Sequence, residues 1–355
     1  MSVFVSELIE AYSDGVVLAV GGALIGTLFG FFAQRSKFCL RAAVIEFWHW
    51  RFGEKLSIWL LAFSTAVIVT QLLVLMNALD SGNARQIASR GSISGALVGG
   101  LLFGVGMILT RGCASRLLVL SANGNLRALL SGLIFAVTAQ ASLQGVLSPL
   151  RENVSSWWTI DGGASRDLLS LIGLSHVGGL VLGTVWGVAA IYFVSRSPTR
   201  SLWMWIGGIG TGLMVAAAWG FSQLIASNSF EPIQIQGLTF SGPSAEWLMR
   251  VLDTPRPPIG FEFGMLPGVF LGSLLGAWIG GDFKLEGFGG GLTMPRYIVG
   301  AILMGFGSML AGGCAVGAGV TGGAIFALTA WLTLVGMWLG AGMTDRIIDG
   351  RPAAP

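Results

Sequence analysis

The sequence predicts an all-α fold: a polytopic membrane helical bundle of about nine transmembrane helices plus re-entrant half-helices, with an internal inverted repeat. Three observations carry that prediction. The 355-residue chain is 54% apolar and only 10% charged, with a mean hydropathy of +0.77, whereas soluble domains carry ~25% charged residues. Its apolar residues gather in windows close to the ~20 residues that cross a hydrocarbon layer. Its 55 glycines follow neither collagen triplets nor low-complexity runs, so they read as close helix packing and broken helices in lipid. A water-soluble enzyme is excluded, and residues 1–355 read as a single integral membrane domain.

The elements follow in order. The first apolar run begins near Val16, after Glu7, Glu10 and Asp14, without the basic segment of a secretory signal, so it reads as a retained span. The windows are 16–33, 57–79, 93–109, 126–147, 171–194, 202–225, 263–280, 297–311 and 323–342. Two of them, 93–109 and 297–311, are short and run straight into a cysteine. The stretch from Ser227 to Glu262 holds Pro232, Pro243, Pro255, Pro257 and Pro258 and reads as irregular loop rather than helix. Sorting the 20 Lys and Arg residues by alternate loops leaves six on one side: Arg85, Arg90, Arg151, Arg166, Arg250 and Arg256. The other side holds the rest, among them Arg196, Arg200, Arg346 and Arg351, which predicts an N-terminus outside and a cytoplasmic C-terminus.

The repeat is read directly. Residues 98–114 align without gaps on 299–315, so that Gly99, Leu102, Gly104, Gly106, Leu109, Gly112, Cys113 and Ala114 recur as Gly300, Leu303, Gly305, Gly307, Leu310, Gly313, Cys314 and Ala315. With this topology the first copy runs inward and the second outward, the inversion seen in transporters whose sites lie at the repeat interface. The repeat copies extend over 93–147 and 297–342. A weaker likeness among the glycine-rich stretches at Gly21, Gly178 and Gly268 is the small-residue spacing of helix packing.

All three cysteines, Cys39, Cys113 and Cys314, lie just past such a span and precede a segment too short to cross. Non-helical backbone at membrane depth must be shielded or must line a cavity, so three converging breaks define a pathway whose opened helix ends offer N–H groups to an anion. An odd cysteine count without a CxxC, and only His49 and His176 in the chain, argue against a disulfide scaffold, a metal site or a cofactor. Nothing in the chain suggests nucleic-acid binding. Arg41 and Arg116 fall inside the stretches read as re-entrant, where charge is expensive and faces an interior. Lys37 and Arg111 flank the same motifs and also serve as topology determinants. Glu46 is the one carboxylate in an apolar stretch, read as paired with Arg51 or solvated.

Arg35-Ser-Lys-Phe-Cys39, Gly112-Cys113 and Gly312-Gly-Cys314-Ala-Val-Gly317, set in glycine-rich spans, resemble the YeeE/YedE family of membrane proteins, the thiosulfate (TsuA-type) and related sulfur-compound transporters. The likeness covers most of the chain. Cys113-Ala-Ser-Arg116 departs from it, with arginine where the second copy has Gly317. The resemblance implies a transport domain in the bacterial inner membrane, uptake of thiosulfate or a similar sulfur oxyanion, and functional cysteines at Cys39, Cys113 and Cys314. It also implies a cytosolic TusA-like sulfur-carrier protein as partner, besides the lipid bilayer. Neutral thiols are weak donors that could pass a terminal sulfur along while Arg or Lys at the mouths draws the charge. Two other classes fit the same residues: a membrane-embedded sulfurtransferase forming a cysteine persulfide, and a passive small-anion channel.

Overall fold

The computed structural model describes residue 7 and residues 11–196, 201–252, 259–288 and 293–348. Thirteen helices of eight or more residues organise that part of the chain, together with one π-helix. They are α1 (Asp14–Ser36), α2 (Leu40–Trp48), α3 (Glu54–Leu75), α4 (Ile93–Leu109), α5 (Ala114–Ala122), α6 (Leu126–Leu143), α7 (Ser148–Ser156) and α8 (His176–Arg196). After these come α9 (Leu202–Ala226), α10 (Ser241–Leu252), α11 (Phe261–Gly280), α12 (Met294–Leu310), the π-helix Ala315–Gly322, and α13 (Leu328–Ile348). The only sheet among the described residues pairs β1 (Gly91–Ser92) with β2 (Thr159–Ile160), antiparallel.

Among the described residues, eight spans are long and apolar enough to cross a membrane, and three of these, Asp14–Trp48, Ile93–Ala122 and Met294–Gly322, join a long helix to the short one after a cysteine. The ninth expected span, 323–342, falls largely on α13, which is 21 residues long but is not among those eight. At 1.5 Å per residue it reaches about 31 Å, the thickness of the hydrocarbon core.

Glycine decides how closely the long helices approach. Gly264, Gly268 and Gly272 of α11 face the α1 backbone at Ala19, Ala23 and Thr27, while Gly22, Gly26 and Gly30 of α1 face Phe261, Met265 and Val269. The two helices therefore run parallel, backbone against backbone, as the small-residue spacing implies. The repeat copies α4 and α12 meet differently. Gly106 packs on Gly300 and Met304, and its counterpart Gly307 packs on Gly99 and Phe103, the counterparts of those same two residues. Such reciprocal contact is the mark of a local two-fold axis, and the two helices run antiparallel across it.

Two expectations need correction. The 227–262 stretch is not all loop: α10 forms within it, because Pro243 sits in the first turn, where a missing N–H removes no helical bond. The chain just before α10 turns inward, burying Ile235, Leu238 and Phe240. Glu46 neither pairs with Arg51 nor stands free; its carboxylate accepts the Lys55 N–H at 3.2 Å and the Leu56 N–H at 2.9 Å, closing the start of α3. Of the residues used to orient the chain and its long loop, Glu10, Arg200, Pro255, Arg256, Pro257, Pro258 and Arg351 lie outside the described residues.

Candidate functional site

One local device recurs at all three cysteines. Two positions before each, the backbone turns left-handed: Lys37 has φ 56°, Arg111 φ 59° and Gly312 φ 75°. The next N–H then reaches back to close the helix that has ended, Phe38 to Ala33 O at 3.0 Å, Gly112 to Met107 O at 3.1 Å and Gly313 to Ser308 O at 2.9 Å. This is a Schellman closure. It hands the chain to an extended cysteine, which is the N-cap of a new short helix: α2 after Cys39, α5 after Cys113, the π-helix after Cys314.

A second left-handed residue ends each short helix, Trp50 eleven residues after Cys39, Gly124 eleven after Cys113 and Phe326 twelve after Cys314. The extra residue in the third copy is taken up by the wider π-helical turn. The unit at Cys39 is thus a third copy of the same arrangement.

The short helices turn their N-terminal ends into the protein. Free N–H groups and the macrodipole give such ends about half a positive charge, which suits an anion. Cys113 is 1% exposed, Cys314 is fully buried and Cys39 is half-buried, and all three are free thiols. Cys39 and Cys113 interact directly through their side chains, and the Arg116 and Arg41 guanidinium charges act on Cys39. Arg116 Nη1 donates to Gln34 Oε1 at 3.5 Å, and Gln34 Nε2 donates to Asp282 Oδ2 at 3.4 Å. Gln34 thus ties the Arg116 guanidinium to Asp282. Cys113 Sγ also lies 3.4 Å from Ser115 Oγ.

Cys314 has a separate setting. Its sulfur accepts the Gly317 N–H and the Phe240 N–H, each at 3.4 Å. Phe240 belongs to the inward-turned segment, pinned by Thr321 Oγ1 donating to Leu238 O at 2.6 Å. The π-helix touches α5, so the second set adjoins the first through the helix that Cys113 caps. Lys37 and Arg111 are exposed turn residues at the ends of α1 and α4.

The sequence reading missed what lies above Cys314. A cavity of about 590 Å³ is lined by Arg85, Arg90, Arg151 and Arg166, against two carboxylates, Glu152 and Glu246. Its wall includes Thr239, Gly312 and Ala318, the residues around the Cys314 break. Arg166 is the buried member, 6% exposed, donating to Ser89 O and to Thr329 Oγ1, the latter at 2.7 Å. Burial pulls its guanidinium below the ordinary value, and arginine remains a cation there. Arg90 donates to Thr159 Oγ1 at 2.8 Å. A larger cavity, about 670 Å³, is lined by Asp80, Asp167 and His176 and by no arginine, the wrong sign for an anion. The four arginines come from separate short segments between Arg85 and Arg166, Arg151 from α7, and as a sequence they read only as topology charges.

Comparison with known proteins adds the family. A family model described as sulphur transport matches residues 35–343, a range that contains all three cysteine units. The thiosulfate transporter TsuA of Spirochaeta thermophila is 26% identical over 339 residues, covering 90% of this chain and 96% of that protein. The thiosulfate transporter TsuA of Escherichia coli K12 is 23% identical over 356 residues, covering 94% and 96%.

Proposed function

The chain belongs to the sulphur-transport family, and from that premise we propose that it carries thiosulfate, or a similar small sulfur-containing anion, inward across the inner membrane along a cysteine-lined route. The observation that carries this reading is the junction of charge and thiol, an arginine-lined cavity whose wall is the Cys314 break. Guanidinium groups concentrate a dianion at the mouth. Beyond them, helix N-termini and S–H donors offer several weak sites in succession, which conduction requires and one tight site would defeat. The order of contact is the vestibule, Cys314, Cys113, then Cys39 with Arg41 and Arg116, with Lys37 and Arg111 at the inner surface.

The whole chain acts as one transport domain with its N-terminus outside and C-terminus in the cytoplasm. A TusA-like carrier on the cytoplasmic side would receive the sulfur cargo. The thiols donate hydrogen bonds and form no covalent bond with it.

Labelled thiosulfate uptake into cells lacking other thiosulfate importers tests the reading. Cys113→Ala and Cys314→Ala, expressed at wild-type level, are expected to abolish uptake, and serine at either site to restore part of it through its hydroxyl donor. Full uptake in both alanine variants would defeat the route. A gain of one sulfur atom on a cysteine during turnover would replace transport by persulfide chemistry.

A further inference from the structure

An entering dianion works against an inside-negative potential once for each of its two charges, and a cation entering with it offsets that work. Outside the cysteines and Tyr297, the buried ionisable side chains among the described residues are Arg166, Glu262 and Asp345. Arg166 belongs to the vestibule. Asp345 is paired with His49 at 2.7 Å. Glu262 has no such partner.

Glu262 stands in the first turn of α11, 7% exposed, in the wall of a cavity of about 250 Å³. Its hydrogen-bond partner is another carboxyl. It faces a second carboxyl, Glu246 of α10, with the charge of Arg85 beside the pair. Two carboxylates in contact, one of them buried, repel each other, and a proton held between them removes the repulsion. Arg85 and Glu246 line both this cavity and the arginine vestibule, so the two spaces share a cation and an anion.

We propose that the Glu246–Glu262 pair is the site where a proton loads together with the transported anion, linked to it through Arg85. The inference rests on the transport reading above. With both carboxyls ionised, the Arg85 charge is taken up by them. A proton arriving from the outer solution leaves that charge available to an anion in the vestibule. Proton and anion then strengthen each other's binding by the same factor. The elements packed around the pair bring further charged groups. Arg250 of α10 lines the same cavity. At this end α1 brings Asp14, whose carboxylate accepts from Ser229 Oγ at 2.6 Å. From α5 comes Arg116, held at the opposite end by Gln34.

The test uses the full chain in proteoliposomes with labelled thiosulfate, measured as exchange at equal pH and as accumulation under a pH difference, acid outside. Wild type is expected to accumulate about tenfold more per pH unit if one proton enters with each anion. Glu262→Gln is expected to keep exchange and lose the response to pH. Glu246→Gln, at an exposed position, should lose the response to pH and carries the test through that response if the buried variant does not insert. A wild-type pH response in both variants would overturn the proposal. So would a wild type that exchanges thiosulfate and ignores pH, with the transport reading left standing. A wild type with no exchange at all would remove the transport reading and this inference with it.

Discussion

Arg166 holds its fork with Ser89 and Thr329 while 94% of it is out of solvent, so its position is fixed before any anion arrives. A lysine there would keep the charge and lose the planar fork. Arg166→Lys is therefore expected to raise the KM for thiosulfate roughly tenfold, about 1.4 kcal/mol of binding, with kcat little changed. Arg90→Lys, at an exposed position, serves as the control and should move neither. A different outcome belongs to Lys37, exposed and left-handed. Lys37→Gly removes a strain of about 1–2 kcal/mol and should raise the melting temperature. Uptake that collapses in this variant while the fold stays intact would give Lys37 a direct part in translocation. At this scale the cysteines and Arg116 were legible from their motifs. The vestibule arginines were not, because only the folding of the 85–90, 151 and 166 regions over the π-helix brings them together.

The cysteine unit is the element of this fold: a span, a left-handed turn, an N-capping thiol and a short helix of nine, nine and eight residues. Aligned residues revealed two copies. The third, at Cys39, shares backbone geometry with little sequence, since a Schellman turn needs only one residue that tolerates positive φ, and lysine occupies that place in α1 as arginine does in α4. The single-residue difference in the third unit was equally hidden, because a π-turn has no strong sequence signature. Packing between the copies is stricter. Gly106 and Gly307 leave no space for a Cβ, so Gly307→Val is expected to destabilise by about 1–3 kcal/mol or more, read as a lower melting temperature in detergent. Gly132, with nothing within 4 Å of where its Cβ would lie, should accept alanine without loss.

Across the whole molecule, the glycine count and the apolar windows foretold a tightly packed bundle, and the constant repeat offset foretold the local two-fold axis between α4 and α12. What the linear reading could not supply was depth: the inward turn at Leu238 to Phe240, which closes over Cys314, has the composition of a surface loop. The account as a whole requires that buried thiols come within reach of a passing anion. Wild-type protein in proteoliposomes can be exposed to a small anionic methanethiosulfonate reagent during thiosulfate exchange, and modification of each cysteine followed by mass spectrometry. Cys314 and Cys113 are expected to react, reaction to stop transport, and excess thiosulfate to slow the reaction while an equal concentration of chloride does not. Thiols that stay unmodified while thiosulfate flows, or that react at a rate indifferent to it, would contradict the route.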